Sequence, residues 1–127
     1  MPLRFLDHVN LRTSRLDEMR AFYRDVLGMD EGARPPFSFG GAWMYVAERP
    51  VVHLVQVSRA PFHQGELSLE HFAFAADGLA ELLGRLDAAK IPYHISEPPR
   101  ARIKQVNVND PEGNHIHVDF SADEPTS

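Results

Sequence analysis

Lys104-Gln-Val-Asn-Val-Asn-Asp-Pro-Glu-Gly-Asn-His-Ile-His-Val-Asp-Phe120 decides how the chain is read. Asp110-Pro111-Glu112-Gly113 carries the chemistry of a type I turn. A side-chain acceptor stands first, a proline presets φ at the second position, and a glycine stands fourth. Beyond the turn the residues alternate: Ile116, Val118 and Phe120 form one face, while His115, His117 and Asp119 form the other. That period of two belongs to a half-buried strand. A strand whose second face bears two imidazoles and a carboxylate points to chemistry rather than to plain solvation.

Outward from this hairpin the pattern is that of one unit written twice. Residues 101–109 form the strand before the turn, and residues 93–96 a shorter one ahead of it. Before those, Leu79, Leu82, Leu83 and Leu86 make the apolar stripe of a helix opened by Asp77 or Gly78 and ended by Lys90-Ile91-Pro92. Residues 67–75 alternate around Phe72 and Phe74. The second half therefore reads βαβββ. In the first half, residues 4–12 alternate, with Val9 and Leu11 opposite Leu6, His8 and Asn10. Ser14 then has N-cap chemistry, with Asp17 at capping-box spacing. Leu16, Met19, Phe22, Tyr23, Val26 and Leu27 follow at helical spacing, and Gly28 supplies the stop. A short strand near residues 30–34, a bend at Gly40-Gly41, a strand over 42–47, a break at Arg49-Pro50 and a strong strand over 51–57 complete a second βαβββ. The chain is expected to be a single domain, residues 1–127. Its first module spans about 3–58, its connector 59–66, its second module about 67–121 and its tail 122–127.

Composition narrows the chemistry. There is no cysteine, so any metal must be held by histidine or carboxylate. A formal charge of −5 without a basic cluster argues against a nucleic-acid surface. No apolar run approaches the roughly 18 residues of a membrane span, and no signal-peptide pattern is present, so a cytoplasmic protein is expected.

The repeat gives the histidines their meaning. His8 and His71 open the two modules at a spacing of 71 − 8 = 63 residues, and His53 and His117 close them at 117 − 53 = 64. Their immediate neighbours, Val9, Val52, Leu54, Phe72, Ile116 and Val118, suit a face packed on helices, which leaves the four imidazoles on the opposite face. Neutral imidazole is a common ligand for divalent transition metals. Matched placement in both repeats favours one shared metal site over four independent strand residues.

The quoted residues resemble the vicinal-oxygen-chelate superfamily of glyoxalases, bleomycin resistance proteins and extradiol dioxygenases. The resemblance is carried by Leu6-Asp7-His8-Val9, Ala21-Phe22-Tyr23-Arg24-Asp25-Val26-Leu27-Gly28-Met29, Leu69-Glu70-His71-Phe72-Ala73-Phe74, and residues 105–118 with their Asp-Pro-Glu-Gly-Asn turn. It covers residues 3–121. It implies an α+β fold of two tandem βαβββ modules forming one cupped sheet, assembled as a homodimer around a small-molecule substrate. It also implies metal ligands at His8, His53, His71 and His117, for zinc, nickel, iron, cobalt or manganese.

Two positions depart from the family pattern, since His53 and His117 stand where glutamate is usual. Two glutamates neutralise a divalent ion, whereas four neutral imidazoles leave its charge in place, which favours anionic, oxygen-rich ligands. The exchange also removes the carboxylate base of glyoxalase-type isomerisation. The expectation is a metal-dependent enzyme of lyase, isomerase or ring-cleaving dioxygenase type, acting on a small oxygen-rich metabolite, an aromatic one if the aromatic residues between the first helix and the connector line the pocket. The rival is a metal-free binding protein of the bleomycin-resistance kind. His94 is a candidate acid or base at the pocket mouth. Phe39, Trp43, Tyr45 and Arg102 are candidate substrate contacts. Asp119 is a candidate partner for the His117 ring, and His115 is placed at the rim.

Overall fold

The computed structural model describes residues Met1–Ser127. It divides into two compact units, Met1–Phe62 and His63–Ser127, so the boundary falls inside the expected connector. Each unit is a βαβββ module with a four-stranded sheet. The first contains β1 (Val9–Thr13), α1 (Leu16–Ala21), β2 (Asp30–Gly32), β3 (Gly41–Val46) and β4 (Arg49–Gln56). The second contains β5 (Phe72–Ala75), α2 (Leu79–Ala88), β6 (His94–Ser96), β7 (Ile103–Asn109) and β8 (His115–Ser121). Strand order is β1-β4-β3-β2 in one sheet and β5-β8-β7-β6 in the other, the same topology twice. The first strand of each unit runs parallel to the last, a pairing that the intervening helix makes available.

Alternation places the core. In the first unit Met19, Phe22, Tyr23 and Val26 are buried together with Leu11, Ala42, Met44, Val52 and Leu54. In the second, Leu79, Leu82, Leu83 and Leu86 are buried, as are Val106, Val108, Ile116, Val118 and Phe120. The Asp110 turn forms as its chemistry requires. The Gly113 N–H donates to the Asp110 carbonyl, and Asp110 Oδ1 accepts from the backbone N–H groups of Glu112 and Asn114, each at 2.9 Å.

Several boundaries differ from expectation, each for a local reason. The Ser14 cap does not form: the N-terminal position of α1 falls on Arg15 with no side-chain cap, and the Arg15 N–H donates to Thr13 Oγ1 at 2.8 Å. Helix α1 does not run on as regular α-helix to residue 27 but widens into a π-helical segment, Phe22–Val26. Gly28 then ends it with φ 77°, a left-handed conformation that glycine adopts freely. Arg49-Pro50 does not break the chain. The break lies two residues earlier, where Ala47 and Glu48 form a tight turn with φ of 48° and 66°, and Val46 pairs with Arg49. The first strand of each unit is also shorter than its alternation suggested, beginning at Val9 and at Phe72, so that His8 and His71 each stand one residue before a strand. No helix is long and apolar enough to cross a membrane.

Candidate metal centre

In the second unit the register Phe72↔Ile116 and Ala73↔His117 brings the residues just ahead of β5 beside β8. The rings of His71 and His117 stack with centroids 4.0 Å apart and planes 14° apart. His115 shares the face of His117, two residues back along β8, with its ring centroid 4.8 Å from His117 and 5.5 Å from His71. One ligand atom from each of the three imidazoles lies within 4.8 Å of the other two.

Glu70 organises this group. Its Oε1 meets His71 Nδ1 at 2.8 Å and its Oε2 meets His115 Nδ1 at 2.6 Å, so one carboxylate bridges two rings. Those bonds, first to His115 and then to His71, hold its pKa below the usual glutamate value. Ionised Glu70 accepts a hydrogen bond from His71 Nδ1–H, which leaves the Nε2 lone pair of that ring for a metal. His115 Nε2 meets Asn107 Oδ1 at 3.0 Å. The Asn107 amide nitrogen donates to Ser96 Oγ at 2.9 Å and to the carbonyl oxygens of Gln105 and His94 at 3.2 and 3.3 Å, which fixes the end of the amide that faces the ring.

His117 is buried, and burial, followed by the neighbouring rings of His71 and His115, lowers its pKa below the ordinary imidazole value. It is therefore neutral near pH 7, the form that binds metals. Its Nδ1 is buried with no hydrogen-bond partner, an orphaned donor or acceptor of the kind that a bound group satisfies. Asp119 does not fill that role: its Oδ1 is likewise buried and unpartnered, so the expected orienting bond between the two is absent. The free nitrogens on His71 and His117 fit a divalent cation. Both nitrogens of His115 are engaged, by Glu70 and by Asn107.

The first unit repeats half of this arrangement. Asp7 Oδ2 meets His8 Nδ1 at 2.7 Å, as Glu70 meets His71, and this bond lowers the Asp7 pKa. The His8 and His53 rings stack at 3.9 Å and 12°. His53 Nε2 donates to the Pro50 carbonyl at 3.0 Å, leaving Nδ1 as the ring's lone-pair nitrogen. Burial lowers the His53 pKa, with His8 adding to the effect. Here the units diverge. Cross-strand from His117 stands Asn107, whereas cross-strand from His53 stands Trp43, which covers the imidazole at 4.0 Å and 11°. Val51 occupies the position matching His115, two residues before the last-strand histidine.

The other expected site residues lie as follows. Trp43 is in the stack just described. Phe39 is exposed and stacks on Phe37 at 4.8 Å. Tyr45 donates its hydroxyl to the Ala33 carbonyl within its own unit. Arg102 is exposed, in a left-handed turn (φ 57°) leading into β7, and its carbonyl accepts from the Ala122 N–H. His94 is exposed at the start of β6 and lines a cavity of about 460 Å³ together with Tyr93, Asn107, Asn109 and His115. Glu70, Asp7 and Asn107 went unassigned in the sequence, and His115 belongs to the cluster rather than to its rim. The available signal was an acid directly before the first histidine of each module.

The comparisons agree with this architecture. The profile of the Glyoxalase/Bleomycin resistance protein/Dioxygenase superfamily matches residues 5–118. Among curated proteins none matches the sequence. A lactoylglutathione lyase from Agrobacterium tumefaciens is 25% identical, with 94% of this chain and 95% of that one covered and a TM-score of 0.69. A glyoxylase/bleomycin resistance protein/dioxygenase domain from Frankia sp. EAN1pec is 19% identical, over 94% and 99% of the two chains, with a TM-score of 0.78. A genomically encoded fosfomycin resistance protein from Listeria monocytogenes is 14% identical, over 98% and 96%, with a TM-score of 0.69. With its duplicated βαβββ unit and a family match over nearly its whole length, the chain belongs to the Glyoxalase/Bleomycin resistance protein/Dioxygenase superfamily.

Proposed function

We propose that this protein is a metal-dependent enzyme acting on a small, oxygen-rich metabolite, with His71 and His117 as ligands. The observation that carries this reading is the meeting of three imidazoles within 4.8 Å, one with an unpartnered buried nitrogen and one with its tautomer set by Glu70. His8 and His53 are proposed as further ligands of the same ion on the strength of the sequence repeat. When bound, the divalent ion supplies Lewis-acid stabilisation of developing negative charge on substrate oxygen. Glu70 holds the rings of His71 and His115 in place, and Asn107 fixes the second nitrogen of His115. His94, on the wall of the adjoining cavity, is proposed as the group that takes or gives a proton there. The reaction class is lyase, isomerase or ring-cleaving dioxygenase. The setting is proposed to be a cytoplasmic homodimer.

The test is metal content in protein purified without a tag or chelator. Wild type is expected to carry or take up one divalent ion, and His71→Ala and His117→Ala each to lose it while keeping a native circular dichroism spectrum. Full metal occupancy in both variants removes these residues from the site and refutes the reading.

A second reading has its own support. Both nitrogens of His115 are already hydrogen-bonded, to Glu70 and Asn107, so the cluster is partly a closed polar network that needs no ion. A metal-free binding protein of the bleomycin-resistance kind uses such a network as a polar wall. It predicts no gain in thermal stability on adding Zn²⁺, Ni²⁺, Co²⁺ or Fe²⁺.

A further inference from the structure

The first unit carries an aromatic array that, apart from His53 at its end, the metal reading does not use. Phe39 stacks on Phe37 at 4.8 Å and 14°, Phe37 lies 6.5 Å from Trp43, and Trp43 stacks on His53 at 4.0 Å. The Phe37 and Phe39 rings are 43% and 44% exposed, and Trp43 is half-buried although His53 covers it, so the array opens to solvent at one end. Contiguous exposed apolar surface of this kind is where ligand-binding grooves are found.

A cation sits within the array. The Arg34 guanidinium carbon lies 5.2 Å from the Phe37 centroid and 5.6 Å from that of Phe39. Arg34 is half-buried, whereas every other residue of the 30–40 stretch is exposed. Arg20, Arg24 and Arg85 are paired with carboxylates, but the only polar partner recorded for Arg34 is the Phe39 carbonyl, at 3.1 Å from Nη2. Its Nε is buried with no hydrogen-bond partner at all. The close packing depends on Gly41, because a Cβ there would meet the Leu54 carbonyl oxygen at 2.3 Å and Arg34 Nη2 at 3.1 Å. The buried Nε is out of a ligand's reach, but Nη1 of the same guanidinium makes no hydrogen bond and is not buried, so it has the donor geometry and charge for a carboxylate whose own ring lies beside the array.

We propose that Arg34, Phe37, Phe39 and Trp43 form a binding site for a small aromatic carboxylate. The ring packs against the aromatic array and the carboxylate accepts hydrogen bonds from Arg34. The site lies wholly within the first unit and does not depend on a metal, so it stands or falls separately from the proposed metal centre.

The sequence supplies its own reporter, because Trp43 is the only tryptophan in the chain. Tryptophan emission is titrated with benzoate, and with the isosteric neutral benzamide, in the full-length protein after chelator treatment. Benzoate is expected to produce a saturable change in emission, with benzamide at least tenfold weaker. Arg34→Met, which keeps the aliphatic stem, is expected to bind benzoate at least tenfold more weakly than wild type and benzamide equally well. No saturable change with benzoate, or equal binding of the two probes to wild type, overturns the proposal without recourse to any variant. So does an emission spectrum that shifts with protein concentration alone, which would mean that a second copy of the chain covers the array.

Discussion

A buried imidazole makes stability depend on pH in a direction fixed by the sign of its shift. His53 and His117 both have pKa values lowered mainly by burial, so between their folded values and the ordinary value of about 6.5 the unfolded chain binds more protons than the folded one. Stability therefore rises with pH until about 6.5 and is lost as pH falls below it. In metal-free protein the unfolding temperature is expected to drop between pH 7 and pH 5, and His53→Leu with His117→Leu to flatten that slope. An equally steep decline in the double variant would assign the effect to other groups. These two residues were legible in the sequence because a polar residue stood on an otherwise apolar strand at matched places. Glu70 and Asp7 were not. An acid beside a histidine is commonplace in a sequence, and only in the folded chain does each carboxylate turn back onto its neighbour's Nδ1. His115 was undervalued for a similar reason, since its partners Glu70 and Asn107 come from other segments.

At the level of elements, every strand and helix was anticipated, but their ends were set by interactions that local sequence does not display. The β3–β4 turn is one such case. Two-residue hairpins favour Asn-Gly because both positions need positive φ, yet Ala47-Glu48 occupies this one. A left-handed non-glycine residue costs about 1–2 kcal/mol, while burying each of Met44, Val52 and Leu54 stabilises by about 1.5–3 kcal/mol. Core burial thus fixes the register and the turn tolerates the strain. Ala47→Asn combined with Glu48→Gly is expected to stabilise the protein by about 1 kcal/mol, read as a higher denaturation midpoint at unchanged slope. A lower midpoint would show that the turn is not strained. The start of α2 is a second case. Glu124, from the tail, accepts the Gly78 and Leu79 N–H groups on one oxygen at 2.8 and 2.9 Å. Lys104 Nζ in turn donates to the Glu124 carbonyl at 2.6 Å. The residues around Gly78 give no hint that a cap arrives from 45 positions downstream. Glu124→Ala is expected to cost about 1 kcal/mol, or roughly 3–5 °C in the unfolding temperature of a domain this size. An unchanged temperature would mean that water replaces the carboxylate without loss.

At the scale of the whole chain, duplication explains both what the two units share and where they differ. Each has an acid–histidine pair entering its first strand and a buried histidine on its last, with stacked rings at 3.9 and 4.0 Å. Only the second adds His115, Glu70 as a bridge and Asn107, and only the first adds Trp43 and its aromatic neighbours. The four-histidine proposal makes a further demand: one ion per chain, with both repeats contributing. The double variant His8→Ala, His53→Ala is then expected to lose metal as thoroughly as His71→Ala, His117→Ala, in elemental analysis and in the visible absorption of the Co²⁺-loaded protein. A first-unit double variant that still binds one ion per chain with the wild-type Co²⁺ spectrum would confine the site to His71, His115 and His117. In that case the His8–His53 pair would serve as a floor under Trp43, and the matched spacing of the histidines would record ancestry rather than shared coordination.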